Sequence, residues 1–543
     1  GVRRRMNTGV AQGANGEQRL AFQDAEGCRA WLAATPLTHP VQALAQLLRQ
    51  LNLLNRANID PGERLAILAL LRKPLLQVQE EGARRFIGKP LPLVPPEQAA
   101  FDAAQAVWHA LLGGYVRCIE SALAGSEPLR DRLALLVQRG LATLAAAQID
   151  IYRACFQPTP DHWRTLHQLF ATAERAGLAT AEIPDQARQG KTPSSPRAVY
   201  AEILLLHAAS PHELPARHLA WAARWARRWS AKVDIVTTPP APGKTTPLCV
   251  DLASKEPAGY APAAGEGVRW LDTASVRQSL KKRLTQLDKG AKPAELQLGD
   301  DCTQPACGLL LAQIYQRWCK GGTPRRHERL AADGRCDLIG GTDAIHYYLS
   351  GRKPFRQPGH ADDEALRRER EELATFGRLA DARQEAGFSQ QRGYQIEEWR
   401  ILDESPAGLQ ASREPGPSGG RIGQGQLVAS RPHTGQYFLL GSVRWAMMTG
   451  DGRLLAGIRM MPGRPDPVAA RDIDATTIRE PYRPAFLLPA VEALNSPATL
   501  VMPPGHFRAG RTLELFGGPH RQVVLMQLVD RGLDFDRATY QPA

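Results

Sequence analysis

The spacing of apolar residues changes along this chain, and the change predicts two architectures within one protein. In Val41–Asn55 the leucines recur at steps of three and four residues, which is the repeat of one helix face. No strong strand-like alternation interrupts this pattern between about Phe22 and Lys232. After Gly321 the sequence becomes rich in glycine and mostly alternating, as in β-sheet proteins. We therefore expect a helical N-terminal part followed by β-rich modules.

The chain has 543 residues, which is enough for roughly three or four domains of ordinary size. Between the helical and β-rich parts, short strands surround a Pro-rich loop and are followed by a basic helix at Asp272–Leu287. The predicted segments are disorder over residues 1–20, a helical domain over 21–232, a mixed α/β linker region over 233–320, a barrel over 321–470 with an insertion at about 350–391, and a C-terminal β-rich module over 471–543.

The charge balance favours an anionic partner. Lysine and arginine number 68 against 55 aspartates and glutamates, which gives a net charge of +13 and a pI near 9.5. Such an excess suits nucleic acid, a phosphorylated small molecule or an acidic surface. No uncharged apolar run reaches the ~18 residues that a membrane span needs, and the start lacks the apolar stretch of a secretory signal. We therefore expect a cytoplasmic protein without a membrane span.

Candidate catalytic and metal motifs fail on their structural context. Gly243–Thr245 resembles the end of a phosphate loop, but Thr238 stands where the first glycine is needed. The G-x-S-x-G match at Gly416–Gly420 lies in a Gly/Pro/Ser-rich loop rather than between a strand and a helix. The cluster Cys302, Cys307 and Cys319 leaves zinc open but favours buried free thiols. We expect no enzyme, no metal and no cofactor.

A tryptophan-rich helix is predicted at Leu214–Lys232. Its Trp221, Trp225 and Trp229 recur every four residues and therefore lie on one face, with arginines beside them. A packed aromatic ridge is the favoured interpretation. A stripe that stacks on nucleic acid or binds a partner is the alternative.

Two short motifs lie in the predicted barrel. Three arginines follow a Gly-Pro turn within Arg325–Arg329, which reads R-x-x-x-R, and a β-like segment follows at Arg335–Tyr348. Asp403–Gly408 reads D-x-S-x-x-G, and a G-x-V-x-W strand occurs at Gly441–Trp445. Together these residues resemble the PilZ domain, the bacterial receptor module for cyclic di-GMP, over roughly Gly321–Arg464.

The resemblance implies a multidomain α+β protein in which a PilZ-like six-stranded antiparallel β-barrel binds cyclic di-GMP. The six residues implied as ligand-binding are Arg325, Arg326, Arg329, Asp403, Ser405 and Gly408. Guanidinium groups suit phosphate oxygens and guanine edges, and they stack on purines. Asp403 can accept from guanine N–H groups, and Ser405 can offer a hydroxyl to the base edge. Gly408 would take a positive φ or let the backbone pass close to the ligand.

One departure from the family concerns spacing. From Arg329 to Asp403 the chain advances by 74 residues, more than the family usually places between its motifs. A helical insertion over Ser350–Gln391, including a charged helix at Ala361–Gln384, would account for the surplus. Such an insertion could dock on the barrel, mediate oligomerisation or block the site.

The favoured hypothesis is a cytoplasmic cyclic di-GMP receptor that changes its domain packing or partner binding when the nucleotide binds. The helical domain would then serve a protein partner or self-association. The first alternative is a basic nucleic-acid-binding protein, based on the charge and the two basic helices. The second is a scaffold whose barrel no longer binds, since Asp-x-Ser-x-x-Gly is also an ordinary turn.

Overall fold

The computed structural model describes residues 19–189, 193–241, 243, 245–260, 264–321, 330–358, 387–416, 419–473 and 480–543. The chain forms two compact units. The first comprises Gly1–Lys89 and Leu93–Pro324, and the second comprises Pro90–Pro92 and Arg325–Ala543, as far as these residues are described.

The first unit is mainly helical. Its described α-helices are α1 (Ala25–Ala34), α2 (Pro40–Arg56), α3 (Pro61–Ala83), α4 (Pro95–Leu123), α5 (Leu133–Arg153), α6 (Pro160–Arg175), α7 (Gln186–Gln189), α8 (Pro196–Ala208), α9 (Ala216–Ser230), α10 (Ala274–Asp288) and α11 (Ala306–Cys319). A three-stranded antiparallel sheet accompanies them, with β1 (Asp234–Val236), β2 (Cys249–Asp251) and β3 (Val268–Asp272) in the order β1-β3-β2.

Several helices begin where a capping residue precedes a proline. The Asp60 carboxylate accepts from the backbone N–H groups of Gly62 and Glu63 at 3.0 and 3.1 Å at the start of α3. Ser195 caps α8 through a 3.0 Å bond from the Ala198 N–H. Proline suits the first helical position, because its fixed φ is helical and its missing N–H would be unpaired there.

The tryptophan face of α9 is buried in the core of the first unit. Trp221, Trp225 and Trp229 are at most 1% exposed, which confirms the packed ridge and makes the stacking stripe wrong. Trp221 Nε1 donates to Asp301 Oδ2 at 2.9 Å, and Trp225 Nε1 donates to the Leu298 carbonyl at 2.8 Å. Residues of the segment predicted as a linker region thus complete the helical core.

A buried ion pair lies between α3 and the segment before α7. Arg72 meets the Asp185 carboxylate at 2.8 and 2.9 Å, and Gln138 donates to it at 2.9 Å. Burial acts to raise the pKa of Asp185, but the hydrogen bonds and charge of Arg72, helped by Arg139, outweigh it and hold that pKa at about 2. The pair therefore favours folding with Asp185 ionised.

The second unit consists of two closed, six-stranded antiparallel barrels. The first is ordered β4-β5-β6-β9-β8-β7 and the second β10-β11-β12-β15-β14-β13. The strands are β4 (Leu330–Gly340), β5 (Glu397–Ser405), β6 (Gly408–Arg413), β7 (Leu427–Pro432), β8 (Leu439–Met448), β9 (Leu454–Met460), β10 (Asp466–Asp472), β11 (Arg483–Leu488), β12 (Thr499–Met502), β13 (Thr512–Phe516), β14 (Gln522–Arg531) and β15 (Asp536–Pro542). The predicted α+β fold, with a helical part before a barrel and a C-terminal β-rich module, is confirmed.

One predicted element is wrong. The β-like segment Arg335–Tyr348 is a strand only as far as Gly340, and the helix α12 (Thr342–Leu349) follows it. Gly341, with φ of +88°, takes a left-handed conformation that ends the strand. Ile345 of α12 then packs in a core shared by both barrels. The predicted helix Ala361–Gln384 lies outside the described residues.

Candidate ligand-binding site

The D-x-S-x-x-G motif forms the turn of the β5–β6 hairpin. Ser405 ends β5 and pairs with Gly408, which begins β6, so that Pro406 and Ala407 make a two-residue connection. The Ser405 hydroxyl donates to the Gly408 carbonyl at 3.3 Å. The Met460 N–H donates to the Ala407 carbonyl at 2.9 Å. The turn is therefore held both within itself and to the end of β9.

Gly408 is required by packing rather than by backbone strain. It does not take a positive φ, contrary to that part of the prediction. A Cβ at this position would lie 2.3 Å from the carbonyl oxygen of Ile458 on β9. The close approach that the glycine permits is thus to the neighbouring strand.

The strand register places Asp403 in a row that crosses five strands. Asp403 pairs with Ala331 on one side and Gln410 on the other, Gln410 pairs with Gly457, and Gly457 pairs with Trp445. Directly opposed residues of antiparallel strands place their side chains on the same face. Asp403, Gln410 and Trp445 therefore share one face of the barrel.

The tryptophan of this row covers the glycine beside it. A Cβ on Gly457 would lie 2.2 Å from the indole nitrogen of Trp445, so only glycine leaves room for the ring. Trp445 is 8% exposed and packs with Met447 and Leu455. Sequence reasoning noted Trp445 only as part of a strand motif and missed Gln410, since the signal that joins them is strand register.

The three arginines of the first motif lie outside the described residues. The chain re-enters the described structure at Leu330, whose partner on β5 is Glu404, and Ala331 follows it opposite Asp403. The strands β4 and β5 are therefore neighbours, although residues 341–396 separate them in sequence. The 74-residue spacing between the motifs therefore does not keep β4 and β5 apart.

Two further arginines on β4 and β5 are already paired with acids. Arg335 contacts Glu398 at 2.5 Å and Arg400 contacts Asp333 at 3.0 Å, both on the exposed surface. These pairs are solvated and contribute little to stability. They provide matched controls for the arginines of the R-x-x-x-R motif.

The cysteine cluster shows the chemistry of buried thiols. Cys302, Cys307 and Cys319 are buried and free, and burial raises the pKa of Cys307 to about 12. Within the described ranges, no group of three or more histidine, cysteine, aspartate or glutamate side chains is placed to hold a metal ion. None of the helices in these ranges has the length and apolar character to cross a membrane.

Comparison with known proteins links both ends of the chain to one family. Residues 26–241 match the family model described as the N-terminal domain of the cyclic-di-GMP receptor FimW, and residues 468–543 match the FimW C-terminal beta-barrel domain. The chain is 24% identical over 569 aligned residues to the cyclic-di-GMP receptor FimW of Pseudomonas aeruginosa. That alignment covers 97% of this chain and 92% of the relative. The hairpin motif at Asp403–Gly408 lies between the two matched domains.

Proposed function

We propose that this chain is a member of the FimW family, whose N-terminal and C-terminal domain models match residues 26–241 and 468–543, and that it is a receptor for cyclic di-GMP. The nucleotide would bind on the first barrel, at the β5–β6 hairpin. The arginines of the R-x-x-x-R segment would close over it. The barrel would bind its ligand without acting on it chemically.

The observation that carries this site is the pairing of Leu330 with Glu404. Arg329 is bonded directly to Leu330, so it can lie no further than one residue from the hairpin. Arg325 is five residues away, and an extended chain of that length spans roughly 18 Å at most. A chain of that length allows the arginines to approach Asp403, as the proposal requires.

The chemistry of the hairpin face suits a guanine nucleotide. The Asp403 carboxylate can accept from guanine N–H donors, while guanidinium forks bind phosphodiester oxygens. The Ser405 hydroxyl donates a hydrogen bond to the Gly408 carbonyl, so its oxygen would accept a hydrogen bond from the ligand. Trp445 and Gln410 extend the same face with an aromatic ring and an amide.

The position of the arginine motif in the chain supports a switching role. Gly321 belongs to the first unit and Leu330 to the second, and the segment that carries Arg325, Arg326 and Arg329 connects them. A ligand that fixes this connection would alter the packing of the two units or their binding to a partner. Residues 21–232 would provide the surface for that partner or for self-association.

The state of the cysteines supports a cytoplasmic location. All eight are free thiols, and seven of them are buried. Free thiols are typical of reducing compartments, whereas secreted proteins tend to pair their cysteines.

Calorimetric titration of cyclic di-GMP tests the proposal. Each charge-assisted hydrogen bond is worth about 1.5–3 kcal/mol, so the variant R325A/R329A should bind at least about a hundredfold more weakly than wild type. The matched control R335A/R400A removes two exposed arginines from β4 and β5 and should bind like wild type.

Equal binding heats for wild type and R325A/R329A would reject the hairpin site. No heat from either protein would favour a scaffold with a non-binding barrel. The charge of +13 also motivates a test with RNA and DNA, whose binding would have to weaken steeply with salt to support the nucleic-acid alternative.

A further inference from the structure

The helical unit contains a cavity of about 680 Å³ between α3, α4, α5, α7 and α9. Its polar lining, here called the arginine cavity, includes Gln79, Trp108, Asp150, Arg188, Arg224 and Arg227. The volume falls within the ~300–1,000 Å³ typical of small-molecule sites. The lining residues all belong to the first unit, whereas the hairpin belongs to the second.

One end of the arginine cavity is acidic. Asp150 is 3% exposed, and its carboxylate accepts from Trp108 Nε1 at 2.8 Å and from Gln79 Nε2 at 3.1 Å. Burial raises the pKa of Asp150 to about 6, so the group is mainly ionised at neutral pH. Arg153 Nη1 also lies 3.4 Å from Asp150 Oδ1. A carboxylate has about four acceptor sites, so the remaining capacity and the long contact with Arg153 leave room for a ligand that donates N–H groups.

The other side of the arginine cavity is basic. Arg188 and Arg227 contact the same oxygen of Glu202 at 2.7 and 3.3 Å. Arg224 lies nearer the exterior, with 43% of its side chain exposed, and pairs with Asp301 at 2.7 Å. Three guanidinium groups thus share two carboxylate partners, which leaves N–H donors for an anion.

Two buried polar atoms of the arginine cavity lack partners within the described residues. They are the acceptor Oε1 of Gln79 and the donor Nη1 of Arg188. Gln79 is 2% exposed and the Arg188 side chain 6%. Buried donors and acceptors are almost always hydrogen-bonded, because leaving them unpaired is costly. A ligand could contact these enclosed atoms only after the side chains around them had moved, so the accessible groups of the cavity decide what it binds.

We infer that the arginine cavity binds a guanine nucleotide. The two adjacent N–H donors of the guanine edge match the two oxygens of the Asp150 carboxylate, while a phosphate matches the guanidinium groups carried by α7 and α9. Adenine lacks two adjacent N–H donors on that edge, so the acidic end discriminates against it. The indole of Trp108 adds an aromatic wall for the base.

Titration of GMP into the full chain tests this inference, with AMP and inorganic pyrophosphate as comparison ligands. The protein carries R325A/R329A, so that the hairpin site cannot contribute. We expect saturable binding of one GMP, at least about tenfold tighter than AMP, with pyrophosphate weaker still. The variant A220W, which places a bulky side chain on the exposed part of the lining, should abolish GMP binding.

The variant R224A should weaken GMP binding about tenfold through loss of one charge-assisted bond. Its matched control R217A removes an exposed arginine of the same helix that does not line the cavity, and should bind GMP unchanged. Thermal melting without ligand verifies that the variants fold. Arg224 lies on the exposed side of the cavity, so R224A still tests the inference if A220W does not fold.

Absence of GMP binding, equal affinity for GMP and AMP, or GMP binding unchanged by both A220W and R224A would each overturn the inference. The hairpin site is assayed separately. With wild-type arginines at 325 and 329, A220W should still bind cyclic di-GMP, and failure of that binding in wild type would reject only the proposed receptor function.

Discussion

The helical unit buries its charged groups against one another, whereas the first barrel keeps the polar groups of its hairpin near the surface. The side chains of Arg72 and Asp185 are 7% and 0% exposed. Asp403 and Ser405 are only half-buried, in strand positions beside a turn. Buried charges that have partners specify the fold of the helical unit. Half-buried groups at a turn can replace local hydrogen bonds with hydrogen bonds to a ligand at little cost to folding stability.

The largest effect is expected from breaking the buried pair. The variant R72M leaves the Asp185 carboxylate without its bidentate partner, and removal of one member of a buried pair costs about 3–5 kcal/mol. The control R164M breaks the exposed pair with Asp161, which should cost about 1 kcal/mol or less. Urea unfolding followed by circular dichroism measures both. Similar losses of unfolding free energy in R72M and R164M would contradict the contrast between buried and exposed charges.

Acid should weaken the helical unit through two buried histidines. His162 and His207 lie 2.7 Å from the Gln148 and Tyr152 side chains, and burial lowers the pKa of each histidine to about 4. The unfolded chain takes up these protons near pH 6.5, so stability falls as pH drops from 6.5 to 4. The loss is at most about 1.4 kcal/mol per pH unit for each histidine.

The raised pKa of Asp150, about 6, acts in the opposite direction, since the folded state favours its protonated form below that pH. It offsets part of the loss caused by the histidines. The free energy of unfolding, measured from pH 7 to pH 4, should fall both in wild type and in H109Q, a control at an exposed histidine. Burial also lowers the pKa values of His167 and His212, so the double variant H162Q/H207Q should lose less stability in this range than wild type, but not none. An unchanged slope would show that other groups account for the loss.

Substitution of Gly408 in the hairpin should affect the stability of the barrel more than its ligand binding. In G408A the new methyl group collides with the Ile458 carbonyl, and overpacking of this kind costs about 1–3 kcal/mol. Gly416 has open space around its Cβ position, so G416A should be nearly neutral. Differential scanning calorimetry compares the two. A neutral G408A would mean that β9 can move away from the hairpin.

Local signals made much of the helical unit predictable. The Asp60-Pro61 pair marks the start of α3, which spans Pro61–Ala83. The four-residue spacing of Trp221, Trp225 and Trp229 predicted their burial. No local pattern indicates that Asp301 and the Leu298 carbonyl accept hydrogen bonds from Trp221 and Trp225. These contacts join segments some 70–80 residues apart in sequence.

The candidate site was predictable only in part, for the same reason. The residues Asp403, Ser405 and Gly408 can be recognised as a motif, but the row that joins Asp403 to Gln410 and Trp445 depends on strand register. The helix α12 was missed because it is short and contains Ile345, Tyr347 and Tyr348, residue types that favour strands. Tertiary packing against the shared core of the barrels decided its conformation.

The smallest effect on stability, and the most direct test of the hairpin, comes from Ser405. The variant S405A loses one 3.3 Å hydrogen bond to the Gly408 carbonyl, worth about 1 kcal/mol or less. If the hydroxyl also accepts from cyclic di-GMP, binding should weaken about tenfold while the melting temperature barely moves. T449A removes a hydroxyl from another turn of the same barrel, where it bonds Asp451, and should leave binding intact. Equal affinities for S405A and T449A would mean that Ser405 only shapes the turn, and the hairpin would then bind its ligand through Asp403 and the arginines alone.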